Sequence, residues 1–334
     1  MKLLNLLTAA VFLVFSPAAR AADVTVRVGY QSTPSPAQLA IVDKAYDTAL
    51  APHGARIEWR KFDSGASVIA ALAAGAIDIG YAGSSPLAAG VTRGLPIKAF
   101  LIADQIGKAE ALVTRKGAGI AKPEDLVGKK VAVPFVSTTH YSLLYALKHW
   151  GIDPDQVRIL NLQPSEIAAA FARGDIDATY VWDPALTSVL KTGTLLTTSE
   201  EVAKWGGPTF DAWIVRDAFA KSHPQLVTAF TKVTLDAFAA YHKNPAAFGP
   251  GTEAARKIGA FTGADPADVP EQIAGNSYPL AKEQVSDGLL GKGTAAAIAA
   301  TAAFLKDQKK VDSLLPDYGS TVTSAFVREA AGLN

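Results

Sequence analysis

The sequence predicts an α/β protein of two similar lobes, each a mixed sheet flanked by helices, with two crossing segments at the hinge. Three observations carry that expectation. Stretches with the two-residue period of strands alternate with stretches of helical period, the pattern of sheets covered on both faces. A unit of Ala-rich helix, glycine, Ile-Asp and strand occurs twice: residues 67–78 (SVIAALAAGAID) align without gaps with residues 166–177 (EIAAAFARGDID), 99 positions on. Finally, two strand-like segments stand where the chain has to pass between lobes, one beside Gln105–Glu110 and one at Asp211–Arg216.

Taken in order, the chain opens with Lys2, an apolar stretch from Leu3 to Phe15, Pro17 and the small-x-small run Ala19-Arg20-Ala21. Residues 1–21 therefore read as a secretory signal peptide. The apolar stretch is 13 residues long, short of the ~20 that a spanning helix needs. There is no cysteine to carry a lipid after cleavage, so the mature protein is expected free in a Gram-negative periplasm. Val24–Gly29 alternates as a half-buried strand, and the polar loop 31–36 (QSTPSP) opens a helical pattern through Leu39, Ile41, Tyr46 and Leu50. Ala55–Phe62 alternates again, the helix Ser67–Ala74 stops at Gly75, and Ile77–Tyr81 is a short buried strand. Ile97–Asp104 and Ala111–Arg115 flank the first crossing, Lys130–Pro134 is a strand, and Tyr141–Trp150 a helix. Past the second crossing the pattern is helical to the end. The domain expectation follows: 22–108 with 213–334 form one discontinuous lobe, and 109–212 form the inserted second.

Composition narrows the function. The 334 residues carry 32 basic and 31 acidic side chains, a net charge of +1 that becomes −1 once Lys2 and Arg20 are removed. A nucleic acid or other polyanion has no excess charge to bind. With 49% apolar and 19% charged residues the chain is globular. Absent cysteine excludes thiol chemistry, and the five histidines include no pair four apart. Neither a cysteine metal site nor a helical HExxH zinc site is therefore expected.

Several residues are candidates for binding. Ser84-Ser85-Pro86 and Ser137-Thr138-Thr139-His140 each follow a strand and open a helix. Hydroxyls there either cap the helix or, with its free N–H groups, receive an anion. Glu110 and Asp211 lie near the two crossings, where a carboxylate serves the hinge or recognises an amine. Trp182 follows a strand and either packs or stacks on a cation. Nucleophilic chemistry has little support: Gly83-Ser84-Ser85-Pro86-Leu87 misses the GxSxG elbow, and Ser188–Lys191 matches only an isolated SxxK.

The runs Lys61–Ser67 (KFDSGAS), Gly83–Ala88 (GSSPLA), Ala132–Trp150 (AVPFVSTTHYSLLYALKHW), Leu160–Pro164 (LNLQP) and Arg173–Trp182 (RGDIDATYVW) are more specific. In these runs the chain resembles the taurine-binding proteins of the sulfonate/nitrate/taurine ABC importers, within the type II periplasmic binding protein family. The likeness extends from about residue 24 through Asp317-Tyr318 and Val322–Ser324. It implies two lobes that close on taurine, a membrane permease with its cytoplasmic ATPase as partners, a monomer, and no cofactor. Ser84, Ser85, Thr138 and Thr139 then suit the sulfonate, with His140 as a further donor. Glu110 and Asp211 suit the ammonium, Trp182 walls it, and Gln31 reaches either end. A receptor for another small sulfonate or anion predicts instead that Glu110 and Asp211 lie outside the cleft. A periplasmic hydrolase predicts turnover.

Overall fold

Eleven strands form two separate mixed sheets in the computed structural model, which describes residues 24–333. The signal-peptide expectation for 1–21 lies outside the described residues. In the first sheet, β1 (Val24–Tyr30) pairs in parallel with β2 (Ala55–Lys61) and β3 (Ile79–Gly83), and β4 (Ile97–Ile106) belongs to the same sheet. The second sheet is built from β5 (Glu110–Arg115), β6 (Lys130–Val133), β7 (Arg158–Asn161), β8 (Ala178–Trp182) and β9 (Gly193–Thr198). The chain then returns to the first sheet with β10 (Phe210–Arg216) and the two-residue β11 (Asn276–Ser277). The sheet orders are β2-β1-β3-β10-β4-β11 and β7-β6-β8-β5-β9.

The two orders share one plan. Three parallel strands stand at one side, and an antiparallel strand, β10 or β5, is inserted between the third and the next. β3 and β8 hold the same place in their sheets, and their ends differ by the 99 positions of the repeat. The echo in the sequence is thus an echo of topology.

Strand alternation distributes the cores. In β5, Ala111 and Val113 pack on one face with Ile167, Phe171 and Val181, whereas Leu112 packs on the other with Val131, Leu143 and Tyr180. The first sheet is built around Val26, Val28, Ile79, Leu101 and Ile214, with Tyr46, Trp59, Trp213 and Phe230 packed edge to face beside them. Each such buried side chain contributes about 1.5–3 kcal/mol of apolar transfer.

The chain leaves the first sheet through Gly107–Ala109, because β4 ends at Ile106 and β5 begins at Glu110. The backbone is crowded here: a Cβ on Gly107 would lie 2.6 Å from the Gly275 carbonyl oxygen. The return differs from the expectation. Asp211–Arg216 is no crossing strand but β10 from its second residue on, paired on both sides from Asp211 to Val215, and the change of sheet falls before Phe210 rather than between 212 and 213. Its apolar run reflects burial on both faces, a feature of a central strand. The segment after β10 is helical except for β11, an edge strand too short to show a period.

Candidate functional site

Four parallel strands deliver their carboxyl ends to one cleft, the usual ligand position in open α/β sheets. Gln31 follows β1, Gly83 ends β3, Ser137 and Thr138 follow β6, and Trp182 ends β8; all line the cleft. The antiparallel strands begin there. Asp211 stands opposite Gly83 in the first sheet, and Glu110 stands opposite Trp182 in the second. The two carboxylates therefore occupy corresponding positions in two similar sheets and line the same cleft. The rival expectation, that they lie outside the cleft, is not met.

The site is acidic and lacks a counter-cation. No Lys, Arg or His is among the cleft-lining residues. Glu110 is 5% exposed; its Oε1 accepts from Thr138 Oγ1 and its Oε2 from Ser199 Oγ at 3.2 Å. Burial, reinforced by the charge of Asp211, pushes its carboxyl up to about 8. Asp211 accepts from the Tyr81 hydroxyl at 2.7 Å, and burial pushes it up to about 6. Among the described residues, no group of three or more acidic or imidazole side chains is placed to hold a metal ion.

Two helix starts meet across the cleft. The helix Thr138–His149 has Ser137 as its N-cap, with the side chain accepting from His140 N at 3.0 Å. The helix Ser84–Thr92 has Gly83 as its N-cap, and Pro86 removes an N–H that would have no partner. First-turn N–H groups have no intrahelical acceptors, so both starts present donors and partial positive charge. They are close: a Cβ on Gly83 would lie 2.5 Å from Thr138 Cγ2 and 3.2 Å from Asp211 Oδ1.

Four expected contacts need correction. Ser84 and Ser85 do not cap, because Gly83 holds that position. Both hydroxyls are buried without a hydrogen-bond partner, and it is the flanking Gly83 and Pro86 that line the cleft. Thr139 is fully buried and its hydroxyl pairs with Ser137 Oγ at 2.8 Å, so Thr138 carries the hydroxyl that reaches the site. His140 serves the loop instead of the cleft. Its ring stacks on Phe135 with centroids 4.7 Å apart, and Nδ1 accepts from Val136 N–H at 3.2 Å. Burial, then Lys310, lowers its pKa to about 4. That bond supports Val136, a β-branched residue at φ 58°, a conformation costly for such a side chain.

Gln31 and Trp182 sit at the throat of the cleft, lining both the inner space and an outer mouth shared with Lys61, Phe62 and Ser165. Gln31 Nε2 is anchored on the Tyr81 carbonyl at 3.2 Å. Sequence reading missed Tyr81, Asp104, Ser199 and Asn276. Tyr81 and Asp104 lie inside regular strands, Ser199 opens a short helix, and Asn276 belongs to the two-residue β11.

Residues 54–248 match the family model described as NMT1/THI5 like. The chain is 48% identical over 326 residues to the taurine-binding periplasmic protein of Escherichia coli, covering 97% of this chain and 98% of that relative. It is 30% identical over 209 residues to a putative aliphatic sulfonates-binding protein of Bacillus subtilis, covering 62% of each. Among solved structures, the alkanesulfonate-binding protein SsuA of Xanthomonas axonopodis pv. citri, bound to MOPS, superposes with a TM-score of 0.72 at 24% identity, covering 92% of this chain and 98% of that one.

Proposed function

The chain belongs to the NMT1/THI5-like family of periplasmic binding proteins, and from that membership we propose that it is the taurine-capturing subunit of an ABC importer. It works in the periplasm as a monomer and hands its ligand to a membrane permease driven by a cytoplasmic ATPase. The observation that carries the reading is the pair of carboxylates, Glu110 and Asp211, at corresponding positions around one cleft with no basic residue lining it.

Taurine has a sulfonate and an ammonium two carbons apart. The sulfonate has no proton at neutral pH and needs only donors, which the starts of the helices at Ser84 and Thr138 supply without a cationic side chain. The ammonium needs acceptors. It lies between Asp211 and Glu110, with Trp182 as a wall and Gln31 closing the throat. The absence of Lys and Arg matters: a cation would pair with the carboxylates and remove their preference for an amine.

Contacts come from both sheets, so the ligand favours the form in which the lobes approach, and the permease distinguishes that form from the open one. Residues 24–108 with those from Phe210 on form one lobe, and the chain between them the other. No bond is made or broken, and no cofactor takes part. A plain alkanesulfonate leaves these buried acids without a cationic partner, which is costly.

Thermal melts test the reading. A ligand bound only by the native state stabilises by about 2.7 kcal/mol at one hundred times its Kd, so taurine should raise Tm while sulfate should not. A folded sample whose Tm does not move in millimolar taurine would overturn the assignment.

A further inference from the structure

Behind Asp211, one phenol lies between two carboxyl groups. Tyr81 Oη is 2.7 Å from Asp211 Oδ2 and 3.0 Å from Asp104 Oδ2. The backbone imposes this meeting. Asp211 is registered against Gly83 in β3 on one side and Asp104 in β4 on the other, and Tyr81, two residues before Gly83, shares their face. A phenol has one proton and donates one hydrogen bond. It can satisfy one of the two oxygens, so the other contact requires a hydrogen from a carboxyl.

Placement decides which carboxyl supplies it. Asp211 lines the cleft. Asp104 is 1% exposed, its Oδ1 has no hydrogen-bond partner, and it lines a second, enclosed space with Tyr30, Gln38 and Trp213. An ionised carboxylate with an unpaired oxygen is costly in such surroundings. The titratable groups facing it offer no cation. They are Tyr81 on β3, Asp211 on β10, Glu110 on β5, and the phenols of Tyr30 and Tyr278. No basic residue lines either space.

We propose that Asp104 is a positioning residue that holds a proton of its own, donates it in a hydrogen bond to Tyr81 Oη, and so commits the Tyr81 hydroxyl to Asp211, the anion that faces the ligand's ammonium. The inference deepens the amine-binding reading of the cleft and rests on it. Burial and the charge of Asp211 push the Asp104 carboxyl well above the usual carboxylate range. The chain of donors thus runs one way, from the buried acid outward. It presents a single oriented negative charge where two adjacent carboxylates would repel each other.

The test pairs infrared difference spectroscopy with two variants. Asp104→Asn replaces a protonated carboxyl by an amide whose NH2 group can still donate to Tyr81 Oη; Asp104→Ala cannot donate. Taurine titrations at neutral pH should show Asp104→Ala weakened by about tenfold or more, with Asp104→Asn recovering most of that loss. The carboxylic-acid C=O stretching band of the wild type at neutral pH should lose intensity in Asp104→Asn. An unchanged band, or an Asn variant as weak as the Ala variant, overturns the proposal. The band is read in ligand-free protein. Failure of the wild type to bind taurine would therefore strike the functional reading, while the spectrum would still decide whether Asp104 holds its proton.

Discussion

At the scale of residues, Glu110 shows how burial turns an ordinary acid into a recognition element. Its carboxyl titrates near 8 because it is desolvated and faces Asp211, while in the unfolded chain it titrates near 4.5. The folded pKa is the raised one, so its stabilising contribution is complete below about 4.5 and is lost as pH rises through about 8. His140, lowered to about 4, and Asp211, raised to about 6, change charge mainly below about 6.5. In ligand-free protein, Tm should therefore fall between about pH 6.5 and 8 more steeply in the wild type than in Glu110→Gln. Parallel curves would mean that Glu110 is already ionised. Glu110 and Asp211 were legible in the sequence as carboxylates near crossings, and Trp182 and Gln31 as residues just past strand ends. Tyr81 and Asp104 were not, because nothing in a strand's own pattern tells which neighbour its register will bring alongside. The hydroxyl positions were off by one at Thr139, since a helix start presents only one of two adjacent side chains to a given side.

Among the elements, the recurring helix–glycine–strand unit was the most informative feature of the sequence, and it corresponds to β3 and β8 at equivalent places in the two sheets. β10 misled for a physical reason: an interior strand apolar on both faces resembles an isolated apolar segment, and only pairing on both sides identifies it. The approach of the two helix starts is likewise a property of elements, set by Gly83 against Thr138. Gly83→Ala would place a methyl 2.5 Å from Thr138 Cγ2, a separation at which Thr138 or the helix start that carries it has to shift. The backbone at Gly83 has φ −68°, accessible to alanine, so the change does not strain β3 itself. Taurine affinity should fall by about tenfold or more, the loss of roughly one charge-assisted hydrogen bond, with ligand-free Tm nearly unchanged. Calorimetry and a melt on one preparation check both halves. A stable variant with wild-type affinity would show that the helix starts need not approach this closely when ligand is held.

For the whole molecule, two similar lobes bring two similar half-sites together, each with a carboxylate at the start of its antiparallel strand and a helix start beside it. A zwitterion matches that arrangement, because its anionic end meets helix dipoles and its cationic end meets buried acids with no basic residue beside them in the cleft lining. The central claim is that the carboxylates read the amine. Calorimetric titration of the wild type and Asp211→Asn with taurine and with ethanesulfonate, which keeps the sulfonate and lacks the amine, tests it most directly. A hydrogen bond to a charged group contributes ~1.5–3 kcal/mol, about ten- to a hundredfold in Kd. The wild type should prefer taurine by at least that factor, and Asp211→Asn should lose most of the preference while its ethanesulfonate affinity changes little. Equal affinity of the wild type for the two ligands, or an equal loss for both on substitution, would contradict the claim.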